Sequence, residues 1–157
     1  MTTAAPGVGD LAPDFELSDT HGSPVRLSAL RGQPVMLVFV PLAFTGTCTG
    51  EVCTISENLA VFNDAGVRVL GITCDPTPSQ RVWQEKEGLT FDLLSDFWPH
   101  GTVARAYGVF DEERGIAVRA SFLVDAEGVV RERIVNPVTE ARPLDWYRQA
   151  VGALGSR

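Results

Sequence analysis

The stretch Val35-Met-Leu-Val-Phe-Val40-Pro-Leu-Ala-Phe-Thr45-Gly-Thr-Cys48 decides the fold of this chain. Its first six residues are all apolar, which is typical of a strand covered on both faces at the centre of a sheet with helices on either side. Pro41 ends this strand. Apolar side chains then recur at intervals of three and four, which predicts a helix over residues 47–63 with Gly66 beyond its end. The order strand, loop, helix indicates an α/β domain.

The sequence on both sides of this stretch continues the alternation. Upstream, residues 15–18 and 25–27 are short alternating runs around Gly22, which predicts a β-hairpin. Downstream, a second apolar strand and a second helix are predicted over residues 67–73 and 79–87. Strands and helices that alternate in this way imply a parallel core in the sheet.

The remaining predicted elements are a short strand, a short helix, an antiparallel hairpin and a closing helix, over residues 91–94, 102–107, 120–124 with 129–135, and 142–154. The expected architecture is a three-layer α/β domain with a mixed central sheet, helices on both faces and the N-terminal hairpin as an extension. No repeat or long linker divides the chain. Residues 1–157 are therefore expected to form a single domain, with a flexible lead-in at residues 1–9.

Composition and charge exclude several classes of protein. The chain has 157 residues, of which 45% are hydrophobic and 21% charged, the profile of a soluble globular protein. Its net charge of -7 disfavours binding to nucleic acid. The longest apolar stretch is far shorter than the ~20 residues that cross a bilayer, and the N-terminus does not resemble a signal peptide. We therefore expect no membrane association and a cytoplasmic location, where three cysteines favour a reactive thiol over a disulfide framework.

Cys48 lies at the start of the first predicted helix, directly after the buried strand and its loop. A thiol in the first helical turn faces backbone N–H groups that have no partner within the helix, and it lies at the positive end of the helix dipole. Both effects favour the thiolate, which is the nucleophilic form of cysteine. Cys48 is therefore a candidate nucleophile, with a small buried apolar residue as the alternative interpretation.

Two residues that precede Cys48 in the chain, Thr45 and Pro41, strengthen this interpretation. Thr45 lies one turn earlier, so its hydroxyl can lie on the same side as the sulfur, although it can also serve only as a helix cap. Pro41 fixes the loop and shields the sulfur from bulk water, or it only ends the strand. Together these residues form the pattern Pro-x-x-x-Thr-x-x-Cys, which resembles the active-site motif of the peroxiredoxins.

The resemblance extends over most of the chain. Four further segments look like peroxiredoxin sequence: Ala12-Pro-Asp-Phe15, Leu94-Ser-Asp96, Ala106-Tyr-Gly-Val109 and Arg119-Ala-Ser-Phe-Leu-Val-Asp125. Pro-Leu-Ala-Phe-Thr-Gly-x-Cys and Ser95-Asp-Phe-Trp-Pro-His-Gly101 further resemble the alkyl hydroperoxide reductase E group of actinobacterial peroxiredoxins. The resemblance implies a thioredoxin-like fold and a thiol-dependent peroxidase that reduces hydrogen peroxide and organic hydroperoxides without a cofactor or a metal.

The same resemblance implies roles for single residues. Cys48 would be the peroxidatic cysteine, whose thiolate attacks the hydroperoxide and becomes a sulfenic acid. Arg119 would be the arginine beside it, because a fixed cation stabilises the thiolate and polarises the peroxide, with an ordinary surface arginine as the alternative. Glu51 is placed to accept hydrogen bonds from an arginine and hold it, or it is only an acid in the first turn of a helix.

Cys53 departs from the one-cysteine pattern of the alkyl hydroperoxide reductase E group. The spacing Cys48-x4-Cys53 resembles the peroxiredoxin Q branch, in which the second cysteine resolves the sulfenic acid as an intramolecular disulfide. In an intact helix the two residues would stand ~7.5 Å apart along the axis and point about 140° apart, beyond the ~7 Å Cα limit of a disulfide. The first helical turns would have to unwind, which Gly50 and its β-branched neighbours favour. The alternative is that Cys53 is a buried residue of a helix face.

The resemblance also implies partners. A thioredoxin- or glutaredoxin-like protein or a low-molecular-weight thiol would regenerate the enzyme, and a homodimer is expected. Cys74 is expected to be a packed or partly exposed residue at the end of a strand, with a second resolving role as the alternative. The cysteine spacings lack a zinc knuckle. A disulfide oxidoreductase is disfavoured because residues 48–51 read Cys-Thr-Gly-Glu instead of Cys-x-x-Cys. A redox sensor without turnover remains a further alternative.

Overall fold

A mixed sheet of seven strands forms the centre of the molecule in the computed structural model, which describes residues 5–154. The strands of this sheet are β1 Glu16–Ser18, β2 Pro24–Arg26, β3 Val35–Phe39, β4 Arg68–Thr73, β5 Asp92–Ser95, β8 Arg119–Val124 and β9 Val130–Asn136. Two further strands, β6 Phe110–Asp111 and β7 Ile116–Ala117, form a separate small hairpin. The order across the main sheet is β2-β1-β5-β4-β3-β8-β9.

The three central strands are parallel, and the outer strands are antiparallel to their neighbours. β3 pairs parallel with β4, and β4 pairs parallel with β5, as the alternation of strands and helices predicts. β8 and β9 add to β3 in antiparallel order. The N-terminal hairpin β1–β2 joins the edge of β5 through the pair Ser18 and Ser95. The predicted mixed sheet with an N-terminal hairpin extension is confirmed.

Helices cover both faces of this sheet. They are α1 Gly46–Glu57, α2 Ala60–Asn63, α3 Thr77–Glu87, α4 Thr102–Ala106 and α5 Leu144–Leu154, with a 3-10 helix at Leu27–Leu30. Alternate side chains of β3 enter opposite cores, because successive residues of a strand point to opposite faces. Leu37 and Phe39 pack on one side with residues of α4, whereas Met36 and Val38 pack on the other with α1 and Trp83 of α3. The three-layer arrangement is therefore confirmed.

The predicted helix over residues 47–63 is broken into α1 and α2. Asn58 ends α1 with φ −113° and ψ 26°, outside the helical range. Its side-chain amide donates to the carbonyl oxygen of Thr54 at 2.8 Å. Asparagine competes in this way with the regular backbone bonds of a helix. The prediction of one continuous helix is wrong, although its start beside Cys48 is right to within one residue.

The closing helix and the lead-in also differ in detail from the sequence pattern. α5 begins at Leu144 and not at residue 142, because the residue before a proline is biased away from helical backbone and Pro143 follows Arg142. In the lead-in that we expect to be flexible, the Gly9 N–H donates to the carbonyl oxygen of Val130 at 2.8 Å, and residues 1–4 lie outside the described part. No helix within residues 5–154 is long and apolar enough to cross a membrane.

Candidate active site

The loop between β3 and α1 carries the Pro-x-x-x-Thr-x-x-Cys motif. Pro41 is buried at the end of β3, and the N–H of Ala43 donates to Asp75 Oδ2 at 2.9 Å, which ties the loop to the end of β4. Phe44 has φ 67°, a left-handed conformation that costs a residue with a side chain roughly 1–2 kcal/mol. The fold therefore holds this loop in a strained shape directly before α1.

Cys48 occupies the first turn of α1 and is 1% exposed. Its side chain belongs to the apolar core between α1 and the sheet, with Val38 of β3 and Val52 of α1 in the same cluster. The sulfur is therefore both buried and close to the N–H groups at the N-terminal end of α1, which have no partner within the helix. This is the position that the sequence predicts for it.

Thr45 occupies the N-cap position of α1, directly before the first helical residue, and its backbone is extended. Its hydroxyl donates to the carbonyl oxygen of Leu42 at 3.2 Å and makes no capping bond to the helix. At 3.2 Å this bond is longer than the ~2.7–2.8 Å that is common for a hydroxyl donor. The hydroxyl is thus turned into the loop, one turn before Cys48, and is held there by one weak bond.

Glu51 joins two buried arginines one turn after Cys48. Its Oε1 accepts from Nη1 of Arg119 at 2.5 Å and from Nη2 of Arg142 at 2.9 Å. Its Oε2 accepts from the backbone N–H and from Nε of Arg142 at 2.6 and 3.0 Å. All three side chains are at most 5% exposed. Contact with an arginine is one of the two interpretations that the sequence leaves open for Glu51, and the structure shows two such partners, Arg119 and Arg142.

The two guanidinium groups also bind backbone oxygens of the surrounding strands. Arg142 Nη1 donates to the carbonyl oxygens of Phe39 and Ala120 at 2.8 and 2.7 Å. Nε of Arg119 donates to the carbonyl oxygen of Val138 at 2.6 Å. The cluster of Glu51, Arg119 and Arg142, which we call the buried charge cluster, therefore ties α1 to β3, β8 and the segment before α5.

The charges of this cluster stabilise one another. Burial would raise the pKa of Glu51, but hydrogen bonds and charge from Arg142, with the charge of Arg119, outweigh burial and lower this pKa. Burial would lower the pKa of Arg142, but Tyr147, Glu51 and Cys48 raise it. The carboxylate of Glu51 and the guanidinium of Arg142 therefore each favour the charged form of the other.

Arg142 was missed by the sequence analysis, which has it only as the first residue of the closing helix. Its partner Glu51 lies 91 residues earlier in the chain, so no local pattern connects them. The available signal was Pro143, which keeps Arg142 out of the helix. A second signal was Glu51 itself, an acid on the buried side of an otherwise apolar helix face, which requires a cation.

Cys53 lies on a different flank of α1, toward α3. Its thiol donates to Glu87 Oε2 at 3.7 Å, and its side chain is half-buried. Burial raises the pKa of Cys53, and the charge and hydrogen bond of Glu87 and the charge of Glu57 raise it further. α1 is continuous from Cys48 through Cys53, so the structure holds the two thiols apart, and both are free.

Cys74 directly follows β4 and is a buried, free cysteine. Burial raises its pKa to about 12, with further contributions from the charges of Asp96 and Asp75. A thiol with such a pKa is protonated and unreactive near neutral pH.

We therefore expect Cys74 to resist alkylation in the native protein. Iodoacetamide near neutral pH should leave Cys74 unmodified in the folded protein and modify it in urea, as peptide mass analysis can show. Labelling of Cys74 at the same rate in both conditions would contradict the burial that protects it.

Comparisons with known proteins show the family of this chain. The sequence model of the AhpC/TSA family matches residues 8–133. The chain is 44% identical over 148 residues to alkyl hydroperoxide reductase E of Mycobacterium tuberculosis, which covers 94% of this chain and 97% of the relative. It is 38% identical over 128 residues to peroxiredoxin Bcp of Escherichia coli, covering 78% of this chain and 81% of the relative.

Solved structures match over nearly the whole chain. The crystal structure of AhpC from Enterococcus faecalis has a TM-score of 0.88 at 25% identity and covers 96% of this chain and 93% of that one. Peroxidoxin BcpB from Mycobacterium tuberculosis has a TM-score of 0.82 at 31% identity and covers 96% and 97%. These matches confirm the thioredoxin-like fold of the peroxiredoxins. With its family match and these relatives, the chain belongs to the AhpC/TSA family and is a peroxiredoxin, a thiol-dependent peroxidase.

Proposed function

We propose that Cys48 is the peroxidatic nucleophile and that the buried charge cluster supports its reaction. The Cys48 thiolate attacks the terminal oxygen of a hydroperoxide, a sulfur–oxygen bond forms and the oxygen–oxygen bond breaks. The leaving oxygen takes up a proton and departs as an alcohol, or as water when the substrate is hydrogen peroxide. Cys48 remains as a sulfenic acid. The observation that carries this proposal is the pair of buried arginines on Glu51, one turn from Cys48.

Charge balance in the cluster supports a thiolate at Cys48. Two guanidinium groups and one carboxylate carry one positive charge in excess, and all three side chains are buried. An unbalanced buried charge is costly, so an anion nearby is favourable. We propose that a thiolate at Cys48, one turn before Glu51, is the anion that balances this cluster.

The surroundings of Cys48 support a narrow approach for the substrate. The residue is 1% exposed, so we propose that only a small group, the hydroperoxide end of a substrate, reaches the sulfur. We assign Pro41 the role of excluding bulk water from the sulfur. We assign Thr45 the role of binding the peroxide, because its hydroxyl has only one weak bond to give up. Arg119 would polarise the breaking oxygen–oxygen bond, with Glu51 holding its guanidinium in place.

We propose that Cys53 then resolves the sulfenic acid. Its sulfur attacks the sulfur of Cys48, a disulfide forms, and the sulfenic oxygen leaves with the thiol proton as water. Because α1 is intact through both residues, the step requires its first turns to unwind. Gly50 lies between the two cysteines and lowers the helix propensity of this segment.

Gly50→Ala tests this unwinding. No atom of the described chain outside the neighbouring helix backbone lies within 4 Å of where a Cβ would stand on Gly50, so alanine fits. Alanine should stabilise the helix by about 0.5–1 kcal/mol and slow disulfide formation about two- to fivefold. Oxidation of Cys48 itself should keep its rate. Both steps can be followed by quenched samples and peptide mass analysis.

Gly152→Ala is the matched control, because Gly152 lies in α5 and likewise has open space for a Cβ. This control should change neither step. Disulfide formation that is equally fast in Gly50→Ala and in the unaltered protein would show that unwinding of α1 does not limit resolution.

Thiol counting tests the proposed cycle. The reduced protein has three free thiols. After one equivalent of an alkyl hydroperoxide, thiol titration in denaturant should find that two thiols are lost for each alcohol formed. Loss of a single thiol, with a sulfenic acid trapped by dimedone, would indicate a one-cysteine enzyme that is resolved by an external thiol.

The proposed cycle closes with an external reductant. We infer that a thioredoxin- or glutaredoxin-like protein or a low-molecular-weight thiol reduces the Cys48–Cys53 disulfide, in a cytoplasmic setting that keeps thiols reduced. A homodimer is part of the same proposal. Exposed aromatic side chains at Phe44 and Trp98, which are 50% and 81% exposed, are available for such a contact.

A further inference from the structure

Helix α3 contacts the flank of α1 that carries Cys53. Trp83 Nε1 donates to Thr49 Oγ1 at 3.1 Å near the start of α1. Cys53 donates to Glu87 Oε2 at 3.7 Å in the middle of α1, and Ser56 meets a hydroxyl just beyond α3 near its end. The contacts of Thr49 and Cys53 would have to break if the first turns of α1 unwind, whereas the Ser56 contact could hold the end of the helix in place. Contacts on the flank of α1 toward α3 therefore stabilise the folded helix that the proposed resolution step has to unwind.

Glu87 is the acidic side chain that contacts Cys53 directly. The carboxylate and the thiol are both half-buried, at the C-terminal end of α3 and in the middle of α1. An ionised carboxylate only accepts hydrogen bonds, so the proton of this contact belongs to the sulfur. The contact disappears if Cys53 loses its proton, and two negative charges then face each other.

Two carboxylates influence the ionisation of Cys53. Glu87 acts from α3 through its charge and its hydrogen bond, and Glu57 acts from α1 through its charge. Together with burial, both keep the pKa of Cys53 above its ordinary value. Neither of these charged neighbours of Cys53 is a cation, whereas Cys48 lies one turn from Glu51 and the two arginines that Glu51 binds. The two thiols of the proposed cycle thus have opposite electrostatic surroundings.

We propose that Glu87 is a positioning residue that holds Cys53 on α3 as a protonated thiol while α1 is folded. Cys53 then becomes a nucleophile only when α1 unwinds and carries it away from the carboxylate. This inference rests on the proposed resolving role of Cys53 and extends it. Glu87 would keep the Cys53 thiol unreactive while Cys48 reacts with peroxide. Release of the Cys53 thiol from Glu87 would then be part of the resolution step.

The chemistry of the step is unchanged by this arrangement. The Cys53 sulfur forms a bond to the Cys48 sulfur as the bond from that sulfur to the sulfenic oxygen breaks. Cys53 first loses its thiol proton to solvent, and the oxygen leaves as hydroxide that takes up a proton from solvent, so that one thiol and one sulfenic acid give one disulfide and one water. The thiolate is the attacking form, so the rate should rise with pH until Cys53 is ionised. Removal of the Glu87 charge should move this rise to lower pH.

Alkylation of Cys53 in Glu87→Gln is the first test. The amide has the shape of the carboxylate without its charge, so the fold should be kept. In a Cys48→Ser background, the midpoint of the pH profile for alkylation of Cys53 should fall by about half to one pH unit, as expected for removal of one nearby charge. Glu57→Gln should give a smaller change in the same direction, since Glu57 acts only through its charge.

Glu85→Gln is the matched control. Glu85 lies on α3 as well, but it is exposed and pairs with Arg81 at 3.3 Å. Its substitution makes the same change of net charge and should leave the profile of Cys53 in place. A profile of Glu87→Gln that coincides with that of Glu85→Gln would overturn the proposal.

The rate of resolution is the second test. With Cys48 present, Glu87→Gln should form the Cys48–Cys53 disulfide severalfold faster near neutral pH, with the same rate of Cys48 oxidation. Glu87→Asp, which keeps the charge, should retain the pH profile of the unaltered protein. If the disulfide forms but its pH profile is the same in Glu87→Gln, the role of Glu87 is wrong while the cycle stands. If no disulfide forms in any variant, the resolving role of Cys53 is wrong, and the role of Glu87 in resolution falls with it.

Discussion

Cys48→Ser is expected to reduce the rate of reaction with hydroperoxides by about 10³-fold or more, as removal of a nucleophile does in an active site built around it. A serine hydroxyl stays protonated near neutral pH, so position 48 then carries no anion for the helix N-terminus and the buried charge cluster to stabilise. Stopped-flow mixing with hydrogen peroxide and with an alkyl hydroperoxide measures this loss directly.

Cys74→Ser provides the control for that loss. Cys74 is also a buried cysteine, but its high pKa and its position after β4 give it no part in the proposed reaction. Its variant should react with hydroperoxides at the rate of the unaltered protein. Equal rates for Cys48→Ser and the unaltered protein would remove Cys48 from the mechanism.

Glu51→Gln is expected to cause a large loss of stability. The carboxylate accepts one hydrogen bond from Arg119 and three from Arg142, and all these groups are buried. An amide would leave both guanidinium groups without a counter-charge and would turn an N–H group toward other donors. Breaking a buried ion pair in this way costs about 3–5 kcal/mol in the free energy of unfolding. Urea denaturation near neutral pH measures it.

The pH dependence of this loss gives a second readout. Because the folded-state pKa of Glu51 is lowered, its contribution to stability is present above its ordinary pKa and is lost as the pH falls through the lowered value. The difference between Glu51→Gln and the unaltered protein should therefore shrink in acid.

Glu57→Gln is the control on the same helix. Glu57 is exposed, so its substitution should change the free energy of unfolding by no more than about 0.5 kcal/mol. A loss in Glu51→Gln no larger than that of Glu57→Gln would show that the cluster does not stabilise the fold.

Elements with a strong local pattern could be predicted from the sequence. The apolar run of β3 lies between two cores, and all five of its residues are buried. Local chemistry also indicates the start of α1 beside Cys48, and the resemblance to a known family places Glu51 toward an arginine. These features depend on residues close together in the chain, or on the resemblance of the motif to a known family.

Features that depend on distant residues could not be predicted. Arg142 is buried because Glu51 and the carbonyl groups of β3 and β8 surround it, and these partners lie 91, 103 and 22 residues away along the chain. The adjacent Pro143 indicates only that Arg142 lies outside the helix. The contact of Cys53 with Glu87 likewise joins two helices that the sequence does not place side by side. The hairpin β6–β7 has only two residues in each strand, too few for an alternating pattern.

The most direct test of the central claim is to find which sulfur is oxidised first. The reduced protein is mixed with one equivalent of peroxide, quenched with dimedone and an alkylating agent at early times, and digested for peptide mass analysis. We predict that Cys48 carries the first sulfenic acid and that the later product links Cys48 to Cys53. A first sulfenic acid on Cys53 or Cys74, with Cys48 still a free thiol, would contradict the account.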